Sequence, residues 1–166
     1  MTRATADDIL ARTAPGGASR QGRLVAEAMA RALAEADRSP GRRAGLRLAL
    51  DMALLARTPH FDARWYRAQS GLPRRGGRAA AARHYLRRGA FMGLDPGPDF
   101  STWRYYVANP DVAEQGLPAL IHYLRHGRRE GRKAFPAATR SVTGSIPVPE
   151  CERAAFDPVW YLETNP

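Results

Sequence analysis

Between Gln21 and Arg38 the apolar residues Leu24, Val25, Ala28, Met29, Ala32 and Leu33 fall on the three- and four-residue spacing that lines one face of a helix. Ser19 stands ahead of them as an N-cap, and Ser39-Pro40-Gly41 stops the run. The next apolar stretch is spaced differently. Leu46, Leu48, Leu50, Met52 and Leu54 alternate as in a strand. None is β-branched, however, and alanine fills the gaps, so the residue types favour helix. Arg43, Arg47 and Asp51 fall four apart, giving a narrow polar stripe with a favourable Arg47–Asp51 pair. Segment 42–57 therefore reads as a helix buried over most of its girth and ended by Thr58-Pro59, and 19–60 as a helical pair. Residues 1–18, closing on Pro15-Gly16-Gly17, read as a flexible lead with room for a short helix from Ala6 to Arg12 capped by Thr5.

From residue 61 the pattern repeats. His84-Tyr85-Leu86-Arg87-Arg88-Gly89 returns as His122-Tyr123-Leu124-Arg125-His126-Gly127. Each copy closes a unit that opens on Phe, as Phe61-Asp62-Ala63-Arg64-Trp65-Tyr66 and Phe100-Ser101-Thr102-Trp103-Arg104-Tyr105; a third opening, Phe156-Asp157-Pro158-Val159-Trp160-Tyr161, stands near the end. Asp62, Ser101 and Asp157 are good N-caps. Tyr66, Tyr105 and Tyr161 then fall at the fourth helical position, where they pack on the Phe before the cap. Asn109-Pro110 breaks the second unit, with Asp111 placed to cap a short turn after it. Gly89 and Gly127 read as left-handed caps ending the last helix of each unit. The spacing is 39 residues from Phe61 to Phe100 and 56 to Phe156. The domain reading follows: two units over 61–136, a Ser/Thr/Pro-rich linker over 137–155, and the start of a third unit over 156–166. A unit cut at Asn165-Pro166 points to a piece of a longer protein. The fold class expected is all-α: N-terminal helices followed by stacked helical-hairpin-like repeats of about 39 residues.

Charge changes the picture only in part. The net charge is +10, 25 of the 26 basic residues are Arg, and 63–94 holds eight Arg and no acid. Such a field attracts polyanions, either acidic glycan or nucleic acid, but a general preference for Arg over Lys would produce it too. The single cysteine, Cys151, excludes an intrachain disulfide. No apolar run has the length of a signal peptide or a membrane span, so a cytoplasmic location is expected.

The candidate chemistry is sparse. His84 and His122 invite a metal or general-base reading, but a histidine recurring at one unit position beside Tyr and Leu is better explained by packing, with a ring nitrogen bonded to the neighbouring unit. Phe61, Tyr66, His84, Tyr85, Gly89, Phe100, Tyr105, His122, Tyr123 and Gly127 are accordingly expected to be structural. Arg125, Arg128, Arg129 and Arg132 cluster at a helix end, where cations suit the helix dipole and where an anion would also bind. No acid–base–nucleophile set, cofactor loop or metal-ligand spacing is present in the sequence, so no catalytic residue, cofactor or metal is assigned.

The second unit, Phe100-x-x-x-x-Tyr105-x-x-x-Asn109-Pro110-Asp111-Val112-Ala113 through His122-Tyr123-Leu124-x-x-Gly127-x-x-Glu130-Gly131-Arg132, resembles an Asn-Pro-Asp-Val…His-Tyr-x-x-x-Gly-x-x-Glu-Gly-Arg repeat. That repeat accompanies bacterial glycosyltransferases of surface-polysaccharide synthesis, including rhamnan-synthesis-like proteins. The first unit departs from it, with Ser70-Gly71 in place of Asn-Pro and Ala90-Phe91-Met92-Gly93 in place of the Glu-Gly-Arg ending. The resemblance implies a non-catalytic accessory module. Its partner would be another protein or a covalently linked transferase domain, and the alternative is a basic module for polyanions.

Overall fold

A computed structural model describes residues 5–38, 42–73 and 76–137. The third unit and, from residue 138 onward, the expected linker lie outside the described residues. The described residues are mostly helical and carry no strand; one isolated bridge joins Gly97 and Phe100. The all-α class is therefore observed.

The helices are α1 (Ala6–Thr13), α2 (Arg20–Arg38), α3 (Arg42–Arg57), α4 (Ala63–Ser70), α5 (Gly77–His84), α6 (Thr102–Ala108), α7 (Pro110–Glu114) and α8 (Ala119–His122). Their starts follow local chemistry. Thr5 and Asp8 cap α1 reciprocally, and the backbone and side-chain bonds from Thr5 hold the Asp8 carboxyl below its usual range. The Ser19 hydroxyl accepts from Gly22 N–H at 3.1 Å. Asp62 accepts from Arg64 and Trp65 N–H, and Ser101 from Arg104 N–H, so both unit openings are capped as their sequences predict. Ala6–Thr13 does not behave as a flexible lead. Ile9 is fully buried and α1 packs on α2, because one apolar side chain at the right helical position suffices to dock two turns.

Helix α2 is the centre of the molecule. Val25, Ala26, Met29 and Leu33 are buried along one stripe, and α1, α6, α7 and the turn after α5 all pack against it. Its flanks are tied as well: Gln21 Nε2 donates to Val107 O at 2.8 Å, and Arg88 pairs with Asp37 at 3.0 Å. Leu24, expected on the buried face, is instead exposed.

The sequence of α3 was expected to be buried nearly all round, and this is corrected. It is a helix, not a strand, but Leu46 is 68% and Leu50 57% exposed. A period of about 100° per residue explains the split. Leu48, Met52 and Leu55 fall within roughly 60° of one another by that period, and this is the face that packs against the core near α5 and α8. Leu46 and Leu50 fall on the opposite side. Asp51 pairs with Arg125 of the second unit at 2.5 Å and not chiefly with Arg47. Burial raises its carboxyl pKa, and Arg125 and then Arg47 oppose that rise. The C-terminal carbonyls of α3 are met by Arg78, whose Nη2 donates to Leu55 O at 3.0 Å and to Phe61 O at 3.3 Å.

Two substitutions on α2 test this layout. Met29→Ala, at a fully buried site, should cost about 2–5 kcal/mol in urea unfolding. Leu24→Ala, one turn away on the exposed side, should cost less than about 0.5 kcal/mol. Equal losses would mean that α2 docks on another face.

Candidate functional site

Both units build the same three-part core. The Phe before the cap packs on the Tyr four positions into the helix, with centroids 5.9 Å apart for Phe61–Tyr66 and 5.3 Å for Phe100–Tyr105. Each Tyr then reaches across its own unit to the signature histidine. Tyr66 Oη lies 2.7 Å from His84 Nδ1, and Tyr105 Oη lies 2.9 Å from His122 Nδ1. The ring planes meet at 51° and 50°. The phenol is the stronger acid and the imidazole nitrogen the stronger base, which assigns the shared proton to the phenol and leaves Nε2 protonated.

The histidines thus bond within their units and not to the neighbouring one, as the sequence had suggested. The cause is topological: α4 turns directly back onto α5, and α6 onto α8, so the nearest acceptor for each Tyr belongs to the same unit. The units are linked by Thr102, whose N–H donates to Asp95 Oδ1 at 2.7 Å and whose hydroxyl donates to Leu94 O at 2.8 Å, and by Tyr85. The Tyr85 hydroxyl lies 3.3 Å from Thr102 Oγ1 and accepts weakly from Leu120 N–H at 3.4 Å.

Directly after each histidine the helix widens by one residue. Ala90 N–H donates to Tyr85 O, and Arg128 N–H donates to Tyr123 O at 2.9 Å. Gly89 and Gly127 are therefore not left-handed caps. Gly89 is right-handed helical at φ −58°, and the left-handed residues are Gly93 and Gly131, both at φ 71°. The glycines are needed for another reason: a Cβ on Gly89 would run into the Tyr66 hydroxyl, and one on Gly127 into the Tyr105 hydroxyl. Tyr, His and Gly in each unit form one packing device.

The ionisation states suit this device. Burial pushes the Tyr66 and Tyr85 phenols well above their ordinary value and Tyr105 up to about 12. Burial, then Arg88, lowers His84; burial, then Arg132, lowers His122. Both imidazoles are thus biased towards the neutral form.

The arginine cluster divides. Arg132 donates to both carboxylate oxygens of Asp111 at 2.9 Å, to Asn109 Oδ1 at 3.0 Å and to Glu130 at 2.6 Å. The bond from Arg132 is the main reason the Asp111 carboxyl lies below its usual range. Asp111 therefore does not cap α7, as its position suggested; the Arg132 fork takes both its oxygens. Arg125 is paired to Asp51. Arg128 and Arg129 are exposed and form no ion pair with any described residue. The four arginines singled out in the sequence are two internal ties and two cations without an ion pair among the described residues. Asn109, Asp111 and Glu130 had not been recognised as partners of Arg132. The available signal was that Asn-Pro-Asp and Glu-Gly-Arg are both missing from the first unit, as two halves of one contact would be. Among the described residues no group of three His, Cys, Asp or Glu is placed to hold a metal ion, and no helix is long and apolar enough to cross a membrane.

The chain matches no protein-family profile, no curated protein and no solved structure.

The packing device makes two predictions. Gly127→Ala should destabilise by about 1–3 kcal/mol through overpacking. Adding Tyr105→Phe, which deletes the obstructing oxygen, should recover part of that loss, so a double-mutant cycle in urea should show non-additivity; strict additivity would show that the hydroxyl is not what excludes the methyl.

The second prediction concerns pH. A histidine with a lowered folded pKa binds its proton more readily when unfolded, so stability is complete above the unfolded value of 6.5 and is lost as pH falls below it. The thermal midpoint should fall steadily from pH 7 to pH 5.5. His84→Asn with His122→Asn should flatten that slope, and an unchanged slope in the double variant would assign it to other groups.

Proposed function

We propose that this chain is a non-catalytic helical-repeat module that holds a protein partner or a covalently joined transferase domain, within a larger bacterial protein of surface-polysaccharide synthesis. The repeat resemblance supplies the setting. The signature residues support a structural role, because the Tyr66 and Tyr105 hydroxyls are bonded to Nδ1 of His84 and His122. The observation that carries the reading is the outward face of α3, where Leu46 and Leu50 stand 68% and 57% exposed, one turn apart. Two leucines on a surface ridge stabilise nothing in the isolated chain and would contribute on association.

Leu46→Asp with Leu50→Asp should leave the thermal midpoint within a few degrees, since exposed substitutions change stability by about 0.5 kcal/mol or less. The same variant should lose measurable binding to the transferase domain encoded in the same or the adjoining reading frame, by titration calorimetry. Equal binding by variant and wild type, or none by either, rejects the reading.

A basic module for polyanions is the second reading, favoured by the exposed Arg128 and Arg129 at the second unit's corner, which form no ion pair among the described residues. If it holds, Arg128→Ala with Arg129→Ala weakens binding to heparin or to single-stranded DNA at fixed salt far more than Arg20→Ala with Arg23→Ala, which removes the same charge elsewhere. Equal losses would indicate a diffuse field without a site.

A further inference from the structure

The two units serve as internal references for each other. Downstream of the histidine they correspond position by position. Leu94 N–H donates to Gly89 O at 2.9 Å, and Arg132 N–H donates to Gly127 O at 2.8 Å, each directly after the left-handed Gly93 or Gly131. Leu94 thus stands where Arg132 does, and Met92 where Glu130 does. Upstream, Ser70-Gly71 stands where Asn109-Pro110 does. In the second unit these positions are filled by the Arg132–Asp111–Asn109–Glu130 cluster, whose charges act on Tyr105 and His122. In the first unit every one of those charges is gone, and uncharged side chains, Met92 and Leu94 among them, stand in their place.

The result is a cleft of about 340 Å³ beside His84, lined by Arg12, Gln69, Ser70, His84, Met92 and Leu94. The volume is at the small end for ligand sites, which run from about 300 Å³ upward, and suits a molecule of monosaccharide size. The polar lining is rich in donors: the Arg12 guanidinium, the Gln69 amide, the Ser70 hydroxyl and, with the proton assigned as above, the His84 Nε2–H. No carboxylate lines it. Arg12 comes from α1, outside the repeat, and its charge acts on the exposed Asp8 one turn back on its own helix. The Ser70 Oγ is buried and has no hydrogen-bond partner among the described residues, which is costly for a hydroxyl unless something meets it. Met92 and Leu94 supply an apolar wall opposite these groups.

We propose that this cleft is a binding site for a small organic carboxylate. Its anionic oxygens are held by Arg12 and Ser70 with help from His84, and its carbon skeleton rests on Met92 and Leu94. A guanidinium is the group best matched to a carboxylate, by two parallel charge-assisted bonds. The site occupies the place from which the second unit's internal salt bridge has been removed, so one repeat closes this position with its own side chains and the other leaves it to a ligand.

The ring resonances of His84 and His122 report the outcome separately. The chain would be titrated at fixed pH, with sodium chloride balancing ionic strength, using D-glucuronate and L-lactate as probes and D-glucose and inorganic phosphate as controls. At least one carboxylate should move the His84 signals saturably while His122 stays still, and glucose should move neither. Arg12→Gln, at an exposed position, should weaken binding about tenfold or more by removing the charge-assisted bonds. Ser70→Ala should weaken it several-fold, and neither change should alter the circular dichroism spectrum. The proposal is overturned if neither carboxylate shifts His84 saturably, if His84 and His122 shift alike, or if Arg12→Gln binds as tightly as the wild type. Phosphate acting as strongly as the carboxylates would also overturn it, by showing a general anion site.

Discussion

A buried tyrosine hydroxyl must find a partner, and in this protein the requirement is met twice by a histidine ring nitrogen, at 2.7 Å and 2.9 Å. Most of the structure around each unit follows from that bond. It fixes where α4 meets α5 and where α6 meets α8. It joins imidazoles that burial, and then the neighbouring Arg88 or Arg132, bias towards the neutral form. It forbids any side chain at Gly89 and Gly127, because the hydroxyl already occupies the space a Cβ would need. It also sets the point at which the helix opens to the wider turn, directly after the histidine in both units.

Much of this was legible in the sequence, for local reasons. Caps and staples are encoded within six residues, and Phe-Asp-x-x-x-Tyr or Phe-Ser-x-x-x-Tyr specifies them whatever surrounds the helix. The structural character of His84 and His122 followed from recurrence. Three features were not legible, and each depends on contacts far apart in sequence. The partner of each histidine is decided by how the chain turns back. The true use of Gly89 and Gly127 is visible only once the tyrosine is above them. The exposure of Leu46 and Leu50 depends on which face of α3 the rest of the fold covers, and an alternating pattern on a helix places leucines on both.

The two units also show what a charged cluster does in such a fold. The Arg132 fork joins the start of α7 to the turn after α8, so the second unit is closed by side chains of its own. The first unit has uncharged residues at the matching places and an open space beside the equivalent histidine. The Tyr–His core is present in both units, with the cluster and without it.

The central position of α2 bears on how the chain acquires its fold during synthesis. An ideal solenoid adds one self-sufficient unit after another, each resting on the last. Here the helix that both units rest against lies near the N-terminus, and its contacts include α7 and the backbone of Val107, 86 residues downstream of Gln21. Until α6 and α7 have left the ribosome, the stripe of Val25, Ala26, Met29 and Leu33 is covered only in part. The nascent chain therefore cannot complete its core one unit at a time: it carries an incompletely covered apolar helix until α7 has emerged and closes in a long-range step.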